Sequence, residues 1–248
     1  MQYHKIITLK DGRTCTVRNG TAGDGQVLLD VFNLTHEQTD FLLTYPGEHS
    51  YTTQQEADYL KAKTDSADEI ELLAFVGDTV AGSAGITCVG RKEKIRHRAE
   101  FGVSVDKAYW GLGIGRALTE ACIECAKNAG YAQLELEAVA DNDKALALYR
   151  SVGFVEYGRN PKGFRSRFSG WQELVLMRLD LDRQTAKQGS IGVLLFRRVH
   201  DWNTAIRPFG MIIYFLRRVL FEKTQHTGDC LLTGRFANNQ TNLPLKGN

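Results

Sequence analysis

Tyr109-Trp110-Gly111-Leu112-Gly113-Ile114-Gly115-Arg116-Ala117-Leu118 joins two segments of opposite character. Ala99 to Val105 upstream is apolar-rich and reads as a strand, whereas Arg116 to Asn128 downstream has the spacing of an amphipathic helix. A glycine-rich turn that opens a helix presents free backbone N–H groups at the positive end of the helix dipole. Such a turn is a seat for a phosphate or pyrophosphate. Glycine suits it because a side chain would block the ligand's approach and because some positions need positive φ. The stretch therefore predicts a strand–turn–helix unit that binds a phosphorylated cofactor.

Three identities compete for the turn. A P-loop requires Gly-x-x-x-x-Gly-Lys-Ser/Thr, and neither Gly-Lys-Ser nor Gly-Lys-Thr occurs in the chain. A dinucleotide fold wants Gly-x-Gly-x-x-Gly, but the glycines here fall at 111, 113 and 115. Glu135 lies about 20 residues beyond, where a ribose-binding carboxylate would stand, yet the residues before the turn read as successive strands rather than βαβ units. The third identity is a plain helix entry whose glycines only make a tight turn.

The residues beyond the turn decide among them. Ala132 to Val139 alternates as a strand, and then comes Asp141-Asn142-Asp143-Lys144-Ala145-Leu146-Ala147-Leu148-Tyr149-Arg150-Ser151-Val152-Gly153-Phe154. Gly-x-Gly-x-Gly-Arg-Ala-Leu and then, a strand later, Asn-x-x-Ala-x-x-x-Tyr-x-x-x-Gly-Phe together resemble the GNAT superfamily of acetyl-CoA-dependent N-acetyltransferases. The resemblance covers about residues 3–182 and is strongest to bacterial members that acetylate amino acids and other small amines. Their acidic–Phe–Gly–x–x–Val strand is matched by Glu100-Phe101-Gly102-Val103-Ser104-Val105. One departure is Trp110, where the family often has Arg or Gln.

The element pattern read outward from this centre is β-β-α-α-β-β-β-α-β-α-β-β. Asp11-Gly12 marks a hairpin between 6–9 and 14–17, and helices are expected over 22–33 and 53–63, the second opening on a Thr53–Glu56 capping box. Strands at 71–76 and 79–89 flank a Gly77-Asp78 turn. The strands 99–105 and 133–139, joined through the helix at about 113–129, are expected to be parallel neighbours. A helix at 143–152 and strands at 154–159 and 172–181 complete the pattern. The expected class is mixed α/β (α+β): a mostly antiparallel sheet with helices on both faces. The resemblance adds that the parallel pair splays apart to admit the pantetheine arm.

Acetyl transfer from a thioester needs a grip on the donor, a route for the amine proton, an oxyanion site and an exit for the thiolate. The resemblance assigns the grip to Leu112, Gly113, Ile114, Gly115 and Arg116, the pantetheine contact to Asn142, and the oxyanion N–H to the strand around Val103 to Val105. Tyr149 matches the residue that protonates the departing thiolate, a task suited to a phenol that is neutral at pH 7. Glu100 is the candidate base; the alternative is an exposed strand carboxylate paired with Arg98. Glu137 is a second candidate, and His97 falls at the strand's outer end. Cys122 and Cys125 on one helix read as packing, so no metal is expected.

The acceptor pocket of the family is built from the loop between the first two helices and the late hairpin. Here these hold Asp40, Phe41, Tyr45, Glu48 and His49, and Lys162, Phe164, Arg165 and Arg167. Carboxylates on one side and cations on the other suit an amino acid or a peptide N-terminus. A small-molecule amine is the expected partner; a non-catalytic acyl-CoA-binding module is the rival reading.

The chain has 248 residues, 43% hydrophobic and 24% charged, as in an ordinary soluble protein. A net charge of +2 makes no case for nucleic acid. The N-terminal residues lack a long apolar core, and five irregularly spaced cysteines suit a reducing cytoplasm. Residues 183–248 carry ten Lys and Arg against three Asp and Glu, a net of +7 that leaves −5 for 1–182. We therefore expect a catalytic domain over 1–182 and a basic, aromatic-rich extension over 183–248. The extension reads as partly helical and too charged to span a bilayer. Contact with an anionic membrane surface, contact with another subunit of a homodimer, and an extension without function all stay open for it.

Overall fold

The computed structural model describes residues 1–181; the expected extension at 183–248 lies outside them. In chain order the elements are β1 (His4–Thr8), β2 (Thr14–Asn19), α1 (Gly25–Glu37), α2 (Thr53–Asp65), β3 (Ile70–Val76), β4 (Thr79–Cys88), β5 (Arg98–Val105), α3 (Ile114–Asn128), β6 (Gln133–Val139), α4 (Asp143–Ser151), β7 (Val155–Ser166) and β8 (Gly170–Asp180). The strands form one sheet in the order β1-β2-β3-β4-β5-β6-β8-β7, with β5 and β6 its parallel neighbours. The mixed α/β class, the order of elements and the parallel pair are those expected.

Both faces are covered for a reason visible in β3. Ile70, Leu72 and Ala74 point to one face, where α3 lays down Ile114, Leu118, Ala121, Cys122 and Cys125 at helical spacing. Leu73 points to the other, against Leu28 and Val31 of α1 and Leu60 of α2. A strand buried on both faces reads as an apolar run, here unbroken from Leu72 to Val76. Leu146 and Tyr149 of α4 join the α3 side. Burial pushes the thiol of Cys122 well up and that of Cys125 up to about 11, as befits packing residues.

The differences from expectation that bear on packing lie in α1, α2 and β7. The capping box of α2 is Thr52 with Gln55, not Thr53 with Glu56: Thr52 holds the extended backbone of a cap, and its hydroxyl accepts from the Gln55 N–H. Glu56 is instead buried against His49. A 3₁₀ turn at Ala22–Asp24 precedes α1, which runs on to Glu37. β7 continues to Ser166, well past the expected end at 159, through a register shift between Asn160 and Phe164. Pro161 lies in that irregular stretch, and β7 is an edge strand, the place in a sheet that tolerates a missing N–H.

Candidate active site

The parallel ladder between β5 and β6 pairs Arg98 with Gln133, Ala99 with Leu134 and Glu100 with Glu135, and stops there. Both strands continue, β5 to Val105 and β6 to Val139, each still paired on its outer side. The two therefore diverge beyond Glu100 and Glu135 and leave a wedge whose inner backbone edges have no strand partner among the described residues. Val103 and Val105 line the β5 side of it.

At the mouth of the wedge sits the glycine turn. Gly111 and Gly113 have φ of 81° and 104°, a region that disfavours side chains, and Gly113 is the N-cap of α3. Helix geometry leaves the first N–H groups, from Gly113 to Arg116, without backbone partners. The Leu112 N–H makes only a long bond of 3.4 Å to Tyr109. The Arg116 side chain turns away, donating to Ser151 at 2.6 Å and Glu120 at 3.2 Å, so its contribution to an anion is its backbone N–H. Trp110 donates its indole N–H to the Val105 carbonyl at 2.7 Å. Asn142 caps α4 by accepting from the Ala145 N–H at 3.3 Å.

Tyr149 is buried, with its ring edge-on to Phe101 at 6.1 Å and beside Phe154 at 6.0 Å. Burial pushes its phenol up to about 12, so it stays protonated across the physiological range. Its hydroxyl makes no hydrogen bond among the described residues and is not sealed from solvent.

The opposite sheet face carries a row of carboxylates. Glu100 lies on the face of Gly102 and Ser104, as alternation requires. Arg98 does not serve it as primary partner: its guanidinium grips Glu135 with both nitrogens, one at 2.6 Å, across the parallel register. Glu135 is almost fully buried by this pairing. Glu137, two residues on, keeps contact with solvent. Even so, lost hydration and then the Glu135 charge hold its carboxyl above the usual range. Gly102 leaves the space beside the wedge open, with nothing within 4 Å of where a Cβ would stand. His97 precedes β5, at the end remote from the wedge.

Loop and hairpin meet, and one pair of their charges neutralises each other. Glu48 pairs with Arg167 at 3.3 Å, and Arg167 lies over the Tyr45 ring at 4.2 Å. Asp40 accepts from Ser166 at 2.6 Å, Gln172 at 3.1 Å and Ser169 at 3.2 Å. His49 is buried against Glu56. Lys162 and Arg165 instead flank Trp171.

Sequence reasoning missed Gln38. Its amide donates to Asp106 at 2.8 Å and accepts from the Lys107 N–H at 2.8 Å, at the end of β5. Two residues later Asp40 is bonded to the hairpin, so residues 38–40 tie the end of β5 to the β7–β8 hairpin. A lone glutamine after a helix carries no signal that would have revealed this.

Residues 32–154 match the model of the acetyltransferase (GNAT) family. N-alpha-acetyltransferase RimI from Mycobacterium tuberculosis is 42% identical over 89 residues, 36% of this chain and 54% of that protein. The L-amino acid N-acyltransferase MnaT from Escherichia coli is 32% identical over 90 residues, 36% of this chain and 52% of that protein. The chain thus spans about half the length of these curated relatives. The crystal structure of an acetyltransferase of the GNAT family from Streptococcus pneumoniae superposes with a TM-score of 0.64 at 27% identity, covering 67% of this chain and 99% of that one.

Proposed function

The chain belongs to the acetyltransferase (GNAT) family, and we propose that it transfers the acetyl group of acetyl-CoA to a primary amine by direct attack in a ternary complex. The observation that carries this reading is the wedge: a parallel ladder that ends at Glu100 and Glu135 beside a helix N-terminus with free N–H groups. Gly113, Ile114, Gly115 and Arg116, with Leu112 beside them, would hold the donor's pyrophosphate through backbone N–H groups. Val103, Val105 and Asn142 would bond the pantetheine arm. That arm is an amide-bearing chain whose polar groups match inner backbone edges left without a strand partner by the splay, the Val105 carbonyl being the one that Trp110 already engages.

The acceptor enters from the carboxylate face. Glu137 takes the ammonium proton, its carboxyl lifted above the ordinary carboxylate range by lost hydration and the Glu135 charge. Glu100, across the wedge, is the second carboxylate able to do so. The freed amine attacks the thioester carbon over Gly102, and a β5 backbone N–H near Val103 to Val105 stabilises the oxyanion. Tyr149 donates its proton to the sulfur as the carbon–sulfur bond breaks.

The acceptor is first a small-molecule amine, an amino acid or similar. A second reading, the α-amine of a peptide or protein, is favoured by the pairing of Glu48 with Arg167 and by the three neutral donors that engage one oxygen of Asp40. That pairing withdraws one carboxylate and one cation from those that could hold an amino acid's two ends. It also accords with the name of the mycobacterial relative. Thiol release from acetyl-CoA with amino acids, polyamines, aminoglycosides and peptides tests the proposal. Turnover lost in Tyr149→Phe supports it; tight acetyl-CoA binding without turnover of any acceptor favours a non-catalytic acyl-CoA-binding module.

A further inference from the structure

The turn joining β7 to β8 carries two aromatic side chains in the solvent. Phe168 is 80% and Trp171 56% exposed. Around them stand cations: the Lys162 ammonium and the Arg165 guanidinium each lie 5.4 Å from the centre of the Trp171 ring. Neither forms an ion pair among the described residues, unlike neighbouring Arg167, which Glu48 neutralises. Exposed aromatics interleaved with uncompensated cations are costly to leave bare and match a partner that is apolar and acidic by turns.

We propose that this hairpin tip docks an acidic segment of a protein acceptor and so presents that acceptor's α-amine to the wedge; the proposal rests on the acetyltransferase reading and takes its second acceptor class. Position supports it. The tip is bonded through Ser166 and Gln172 to Asp40, and Gln38, two residues away, is bonded to the end of β5. The two anchor residues thus stand two positions apart in one bend of the chain. The third to sixth residues of an extended peptide, about 10–20 Å from its α-amine at about 3.3 Å per residue, are the ones proposed to meet the tip.

Charge and topology narrow the partner. Residues 1–181 hold 21 Lys and Arg against 25 Asp and Glu, so the domain as a whole repels a long polyanion such as RNA. A short acidic segment feels the local patch instead. β7 is an edge strand, but Pro161 and the irregular stretch from Asn160 to Phe164 deny a guest strand a regular ladder. The partner docks through side chains.

The test is fluorescence anisotropy on the full chain. It uses a labelled peptide with a free N-terminus and Asp, Glu and Leu at positions three to six, and a twin with Lys in place of the acids. The acidic peptide is expected to bind at least tenfold tighter. The advantage should vanish in Lys162→Glu/Arg165→Glu and shrink as salt is raised. Acetyl-CoA affinity and the melting temperature of that variant should be unchanged. Equal binding of the two peptides, or retained preference in the variant, overturns the proposal, as does a single-stranded RNA that outcompetes the acidic peptide. If the acidic peptide binds as expected but no amine is ever acetylated, the enzyme reading fails while the docking surface stands.

Discussion

The indole N–H of Trp110 is bonded at 2.7 Å to the carbonyl of Val105, the last residue of β5. That carbonyl stands at the mouth of the wedge, where a pantetheine amide would need an acceptor. Lys107 and Lys144 hold their ammonium groups 6.0 and 5.9 Å from the Trp110 ring, one from each side of the mouth. The tryptophan that departs from the family pattern thus occupies a polar group of the proposed binding edge.

Trp110→Phe is expected to tighten acetyl-CoA binding several-fold. It removes a competing hydrogen bond of about 1 kcal/mol while keeping an aromatic ring between the lysines. Titration calorimetry of both proteins measures it. Unchanged affinity would mean that the donor does not use the Val105 carbonyl.

Asp24 should contribute to stability in a pH-dependent way. Its carboxyl accepts from both terminal nitrogens of Arg18, at 2.7 and 2.8 Å, and from Thr21, and the Arg18 bonds above all hold it at about 2. A depressed pKa stabilises the fold above the unfolded value of about 3.9 and ceases to do so as pH falls through the folded value. Asp24→Asn is expected to cost about 1–2 kcal/mol at pH 7, allowing for solvent at the pair's open side. Urea melts at pH 7 and pH 3 should show the gap narrowing in acid; equal stability at pH 7 would refute the role.

Tyr149→Phe should reduce kcat by about a hundredfold or more, the usual weight of a general acid, while the acetyl-CoA Kd moves less than twofold. The ring's packing on Phe101 and Phe154 survives the change, so the fold should survive too. A kcat within threefold of the parent would assign the tyrosine to packing alone.

The centre of the fold was legible because it is local. A strand, a glycine turn and a helix declare themselves in ten residues, and the apolar spacing of Ile114, Leu118 and Cys122 names the buried helix face. What failed was decided across strands. Arg98 and Glu100 are near in sequence and on one face, yet Arg98 goes to Glu135, because the parallel register sets Glu135 beside them. The expected end of β7 at 159 fell short, because an edge strand absorbs Pro161 and runs on to Ser166. The charges of the acceptor loop and hairpin looked available because nothing in either segment reveals that Glu48 and Arg167 face each other.

Glu137 offers the sharpest test of the proton route. Lost hydration raises its carboxyl above the ordinary value of 4.5, and Glu135 raises it further. A base acts when deprotonated, so kcat/KM should climb with pH through a limb displaced upward from that of a free glutamate. Glu135→Gln removes the second cause and leaves the Arg98 charge uncompensated nearby. Both changes favour the carboxylate, so the limb should move to lower pH. Glu137→Gln should abolish the limb and lower kcat/KM by about a hundredfold at neutral pH. If the limb persists in Glu137→Gln and disappears in Glu100→Gln, the proton leaves through the β5 carboxylate instead. The two strands of the wedge then exchange roles without any change in the geometry that holds the donor.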